Sequence, residues 1–177
     1  MKKIVSVGLD LSLTGTGVVI VHNNKIVESQ LVKSKPSGDR PIDELNRIQG
    51  IVLKIISIID EYEPSIAVIE NLAFMARNTT SLTQLAGLSY LTRSVLNRMG
   101  IPFIMCAPTT LKKFATGKGN CEKDHMILEA YKKYGVESID NNIADAIFLA
   151  KIGEAMVSKV ELNSYQKETI ELLSKQL

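Results

Sequence analysis

Tryptophan is absent from this chain and aromatic residues supply only 5% of it, so its core has to be mainly aliphatic. The two cysteines, Cys106 and Cys121, make neither a metal-ligand spacing nor a disulfide framework. That pattern suits a reducing compartment, with Cys106 reading as a small buried hydrophobe. Long apolar runs are missing too. The opening Met1-Lys2-Lys3-Ile4 could begin a signal peptide, but Asp10 interrupts the apolar run too early. The stretch 48–59 contains Lys54 and is too short to cross a bilayer. These absences predict a soluble cytoplasmic protein.

A strong charge of one sign is lacking as well. The formal net charge is +2, so composition alone does not announce a polyanionic partner. The distribution says more. Between Asn71 and Lys123 stand Arg77, Arg93, Arg98, Lys112, Lys113, Lys118 and Lys123, against the single acid Glu122. A basic middle of this kind can meet a nucleic acid through counterion release, or it can be an ordinary solvated surface.

What is present is enough apolar content, 45% of 177 residues, to bury one core, so residues 1–177 are read as one domain with a peripheral helix in the segment after about 160. Residues 3–10 form a β-branched and apolar run suited to a buried strand. A second run covers 16–22, and Asn23-Asn24 makes a two-residue hairpin turn into a third strand over 25–32. The loop 33–41 holds Pro36, Gly38 and Pro41. From Ile42 the period changes: Leu45, Ile48, Val52, Ile55, Ile56 and Ile59 recur at helical spacing to about Tyr62, and Pro64 stops the helix. Strands follow at 65–70 and 101–106, with a helix between them from Thr79 or Thr80 to about Met99, stopped by Gly100. Pro108 suits the first turn of another helix, and two more are expected near 122–134 and 142–157. The order predicts an α/β fold with a mixed five-stranded sheet flanked by helices.

Three acids occupy telling positions. Asp10 closes the first strand, Glu70 closes the fourth, and Asp145 lies early in an otherwise apolar helix. Ligands in open α/β sheets gather at the carboxyl ends of strands, so Asp10 and Glu70 point to one edge, and a helix crossing it would add Asp145, with Asn142 one turn earlier. An all-oxygen set, without histidine or cysteine, suits a hard ion such as Mg²⁺ or Mn²⁺. Two such ions support phosphodiester hydrolysis, and the acids by themselves should repel one another and hold raised pKa values. Each acid also has an ordinary reading. Asp10 could cap a turn, Asp145 could complement a helix dipole, and Glu70 could pair with Arg77.

Residues 8–12, Gly-Leu-Asp-Leu-Ser, followed by Thr14-Gly15-Thr16-Gly17, resemble the opening of RuvC-type Holliday junction resolvases. Residues 68–78, Val-Ile-Glu-Asn-Leu-Ala-Phe-Met-Ala-Arg-Asn, resemble their second acidic motif, and Ala144-Asp145-Ala146 resembles the last. Residues 108–113 and 117–123 look like the family's lysine-bearing segment. The resemblance covers roughly residues 3–155. It implies an RNase H-like fold, a homodimer, dependence on Mg²⁺ or Mn²⁺, and paired, symmetric nicks in four-way DNA junctions; two ions per site are expected from the carboxylate chemistry, and branch-migration machinery is a candidate partner that the sequence does not reveal. By position it makes Asp10, Glu70 and Asp145 metal ligands, and places Lys112 and Lys123 at the phosphate near the scissile bond. It puts Phe74 in a loop, one residue longer here, whose aromatic stacks on a junction base; Arg77, Lys113 and Lys118 join the DNA-binding set.

One position departs from the family pattern. Many relatives carry an acid three residues before the last Asp, and Asn142 stands there, able to coordinate only through its carbonyl; Asp140 is the alternative ligand. On the second helix Leu82, Leu85, Ala86, Leu88, Leu91, Val95 and Leu96 cover more than one narrow stripe, which suits core packing and, by resemblance, a dimer face. Two other functions fit the same residues: an RNase H-like nuclease acting on RNA–DNA hybrid or structured RNA, and a junction-binding protein without catalysis, suggested by Asn142.

Overall fold

The computed structural model describes residues 4–72, 79–136 and 140–177. Three strands open the fold, β1 (Val5–Asp10), β2 (Gly15–His22) and β3 (Lys25–Lys33). Asn23 and Asn24 both have positive φ, 50° and 63°, as a tight hairpin turn twisted with its strands requires. Helix α1 (Pro41–Tyr62) leads to β4 (Ile66–Glu70), α2 (Thr79–Arg98) and β5 (Phe103–Cys106). Four helices follow: α3 (Pro108–Thr116), α4 (Lys123–Tyr134), α5 (Asn141–Val157) and α6 (Ser164–Ser174).

The fifth strand is shorter than its apolar run predicts. Gly100, at φ 70°, ends α2: its N–H donates to the Asn97 carbonyl and the Ile101 N–H to that of Leu96. This pair of bonds is the Schellman arrangement, and it uses the donor Ile101 would need in the sheet.

The five strands run in the order β3-β2-β1-β4-β5. β2 is antiparallel to both β1 and β3, whereas β1, β4 and β5 are parallel. Consequently β1, β3, β4 and β5 all end at the same edge of the sheet.

Strand alternation sorts the side chains onto two faces. Val5, Val7 and Leu9 of β1, with Ala67 and Ile69 of β4, pack with Ile51, Ile55 and Leu88 of α1 and α2. The opposite face of β1 carries Ser6, Gly8 and Asp10, and it is covered by α5. A Cβ on Gly8 would overlap the Ala146 carbonyl, and one on Gly17 would overlap the Asn142 carbonyl, so the glycines let α5 lie backbone-close against β1 and β2. Ser6 Oγ donates to the Ala150 carbonyl at 2.8 Å along the same seam. Helix α5 is buried on nearly every side from Ile143 to Glu154, as a helix clamped between a sheet and other helices must be. Its outer face meets α3, α4 and α6 around Phe114, Phe148 and Leu173.

The expected peripheral C-terminal helix is α6. It packs on α3, and beyond its end the Gln176 amide bonds both the N–H (3.0 Å) and the carbonyl (2.9 Å) of Met105, covering the open edge of β5. Among the described residues no helix is long and apolar enough to cross a membrane.

Candidate active site

The alternation that places Ser6 and Gly8 against α5 puts Asp10 on the same face at the strand's end. In β4 the corresponding face holds Val68 and then Glu70. Leu9 pairs with Ile69 across the parallel ladder, so Asp10 and Glu70 sit side by side. Helix α5, held close by the glycine contacts, contributes Asp145. One carboxylate oxygen from each of Asp10, Glu70 and Asp145 lies within 4.8 Å of the others. A cavity of about 240 Å³ opens over Asp10 and Glu70, walled by Leu11, Leu72, Leu82 and Pro108.

The ordinary readings of two of these acids do not hold. The turn after β1 is closed by Ser12, whose Oγ accepts from the N–H groups of Thr14 and Gly15, and by Thr16, whose hydroxyl donates to the Ser12 carbonyl at 2.8 Å. Asp10 takes no part in that turn. Asp145 lies beyond the first turn of α5, which contains no acid. The helix is capped instead by Asp140, whose carboxylate accepts from the Asn142 N–H at 2.8 Å. Arg77, the alternative partner of Glu70, and Phe74 lie outside the described residues.

Electrostatics mark the cluster as a place short of positive charge. Burial holds the Asp10 carboxyl well above its usual range, the Glu70 charge and their shared hydrogen bond raise it further, and Lys123 opposes. Burial also raises Glu70 to about 6, against the hydrogen bond from Asp10. Asp145 is raised to about 7, first by burial and then by the charge of Asp10. Three carboxylates so placed cannot all ionise cheaply at neutral pH by themselves. A dication among them would reverse that balance, and an all-carboxylate donor set suits a hard one. The residues present therefore fit a divalent metal.

Two of the expected lysines reach this centre. Lys112 on α3 lowers the pKa values of Glu70 and Asp145, and Lys123 at the start of α4 lowers those of all three acids. The Lys112 ammonium also donates to the Cys121 carbonyl at 2.7 Å, which pins the 117–121 loop to α3. Lys113 turns away and pairs with Glu168 of α6 at 2.6 Å. Lys118 is exposed in the loop, where its N–H donates to Thr116 Oγ1. The Asn142 side-chain N–H donates to the Gly15 carbonyl at 2.5 Å, which engages the amide nitrogen and not the side-chain carbonyl oxygen. Asp140 raises the pKa of Asp10 from outside the three-acid cluster while it caps α5.

One supporting residue escapes sequence reasoning. Arg47 of α1 donates to the Leu13 carbonyl at 2.6 Å and to Ser34 Oγ at 3.0 Å, fixing the loop that follows Asp10. Its only sequence signal is a cation on the sheet-facing side of an amphipathic helix.

A mixed five-stranded sheet with an acid at the end of each of two adjacent parallel strands, and a third on the helix crossing them, is an RNase H-like fold with its acids gathered at one edge. The family of crossover junction endodeoxyribonuclease RuvC matches residues 5–152, and the chain belongs to that family. Among its relatives, crossover junction endodeoxyribonuclease RuvC of Endomicrobium trichonymphae is 32% identical over 152 residues, covering 81% of this chain and 76% of the relative. That of Synechococcus sp. (strain WH7803) is 23% identical over 85% of this chain and 97% of its own. Among solved structures, T. thermophilus RuvC in complex with Holliday junction substrate superposes with a TM-score of 0.72 at 18% identity, over 83% of this chain and 90% of that one. The yeast mitochondrial Holliday junction resolvase gives 0.60 at 12% identity, over 97% of this chain and 84% of that one. These structural likenesses establish the fold. Enzymes of the RuvC type depend on metal, and the acid cluster is consistent with that.

Proposed function

We propose that the chain nicks four-way DNA junctions symmetrically by metal-dependent phosphodiester hydrolysis. The observation that carries this reading is the convergence of Asp10, Glu70 and Asp145 within 4.8 Å at the strand ends, in a chain of this family. Asp10, Glu70 and Asp145 would hold Mg²⁺, with Mn²⁺ as substitute and two ions per site, and the Asn142 carbonyl oxygen would complete the ligand set. Bound there, the metal supplies the positive charge that makes water nucleophilic and steadies the leaving oxygen. Lys112 and Lys123 stand where charge builds on the phosphate in the transition state, and stabilise it. Leu11, Leu72 and Leu82 give the cavity over Asp10 and Glu70 an apolar wall, against which charge interactions are stronger than in open water.

Phe74, Arg77, Lys113 and Lys118 would meet DNA beyond the scissile phosphate; engaging it with Lys113 requires release from Glu168. The chain would act as one domain over residues 1–177 and as a homodimer, so that two sites face opposite strands, in the cytoplasm and alongside branch-migration machinery. The test is a mobile four-way junction incubated with purified protein and Mg²⁺. Paired nicks in opposite strands, with linear duplex left intact, are expected. Equal cutting of an RNA–DNA hybrid would replace the junction reading by an RNase H one, and binding without cutting would make the chain a non-catalytic junction binder.

A further inference from the structure

The sheet's active edge carries positive charge on its far side as well. There a cavity of about 350 Å³ lies between the end of β3, the loop after it and α1, lined by Lys33, Ser34, Lys35, Ser37, Arg47 and Lys54. Lys33 pairs with Gly15 in the β2–β3 ladder, so the end of β3 that lines this cleft stands at the same edge of the sheet as Asp10, two strands away. Lys112 of α3 and Lys123 of α4 act on the acids from the opposite face of the sheet, which α5 covers. Positive charge therefore stands on both faces of the sheet at this end.

None of Lys33, Lys35, Arg47 or Lys54 is in an ion pair among the described residues. The carboxylates one turn earlier on α1 are already engaged, Asp43 by Arg40 and Glu44 by Gln84. Arg47 is half-buried and makes only neutral bonds, to Leu13 and Ser34. A second observation points the same way. Gly50 lines this cleft in the middle of the 22-residue helix α1, and a Cβ built on it would meet nothing within 4 Å. Glycine weakens a helix interior relative to alanine, and no packing contact requires it here. What it leaves is room for another backbone to lie against the helix between its cations.

We infer that this cleft is a second phosphate-binding face, which grips the backbone of a DNA duplex arm on the β3 side of the active site. The inference rests on the nuclease reading for its ligand and adds Lys33, Lys35, Lys54 and Gly50 to the DNA-contacting surface. Through Arg47, whose guanidinium fastens the cleft's loop to the Leu13 carbonyl, an arm held there is registered against the loop that follows Asp10.

The test is the salt dependence of binding to a four-way junction and to linear duplex, measured in EDTA by fluorescence anisotropy. The double variant Lys35→Gln/Lys54→Gln should lower the slope of log K against log salt by about 0.9 for each phosphate that is no longer neutralised. The control Lys25→Gln/Lys132→Gln removes the same charge from other surfaces and should leave the slope near that of wild type. Gly50→Leu should raise the thermal midpoint, because leucine favours helix, yet weaken DNA binding at least fivefold by filling the cleft. An unchanged slope in the first pair, an equal change in the control, or wild-type affinity in Gly50→Leu each overturns the inference. Wild-type junction cleavage in Mg²⁺ is followed in parallel. If the wild type binds DNA but cuts no junction, the functional reading fails while the slope comparison still decides the cleft; no DNA binding at all overturns both.

Discussion

Asp145→Asn should make the metal-free protein more stable at pH 8, although it removes a residue of the proposed active site. The Asp145 carboxyl is raised from 3.8 to about 7 in the fold, chiefly by burial and then by Asp10. A rise of that size corresponds to about 4 kcal/mol between the protonated and ionised forms. Solvent reaches this half-buried group and screens its charge, so about 2 kcal/mol is expected. The sign follows from proton uptake. Between pH 4 and 7 the folded state holds the proton more tightly than the unfolded chain, so stability is full at the acid end and lost as pH rises through 7. In a chain of this length 2 kcal/mol is about 4–8 °C in Tm. Thermal unfolding followed by circular dichroism in EDTA, at pH 5 and pH 8, reads it directly. Wild type should lose several degrees between the two, and Asp145→Asn should lose clearly less. Adding Mg²⁺ at pH 8 should restore the wild type, by about 2.7 kcal/mol at a hundred times its Kd, and should do less for the variant. A wild type whose midpoint does not fall between pH 5 and 8 without metal, or a variant that falls equally, would refute the reasoning.

Asp10→Asn and Glu70→Gln should each abolish junction cleavage while leaving junction affinity within a few fold, because they remove proposed metal ligands and leave the basic surface; loss of binding in gel-shift titrations would mark the acids as structural. Lys112→Ala should slow single-turnover cleavage and flatten the salt dependence of binding by about 1 in slope, read from the same titrations. Gly17→Ala should push α5 from the sheet and cost about 1–3 kcal/mol in urea unfolding, with cleavage falling further than stability because Asp145 moves with the helix.

Hydrophobic period made most of the fold legible. The hairpin at Asn23-Asn24, the long helix after Pro41 and the strands ending in Asp10 and Glu70 stand where their patterns place them, because local propensity and burial agree there. Ile101 did not enter β5, since closing α2 claimed its N–H. The acids were legible because Asp10 and Glu70 sit at strand ends, where a side chain leaves the core, and Asp145 is a lone acid in an otherwise apolar stretch of α5. The partners of Lys113 and Asn142 were not, because their bonds to Glu168 and Gly15 join residues 55 and 127 positions apart.

Taken alone, the sequence determined the element order, the mixed sheet and the identity of the three acids, which follow from short-range periodicity, from two strand ends and from one acid in an apolar helix. Only the tertiary structure decided that they meet. That depends on Gly8 and Gly17 letting α5 down onto the sheet, and on which strand ends share an edge. The same packing decided which lysines face the acids, and it gathered Lys33, Lys35 and Lys54 beside Gly50. Convergence of residues distant in the chain is a property of packing, and spacing along the chain does not encode it directly.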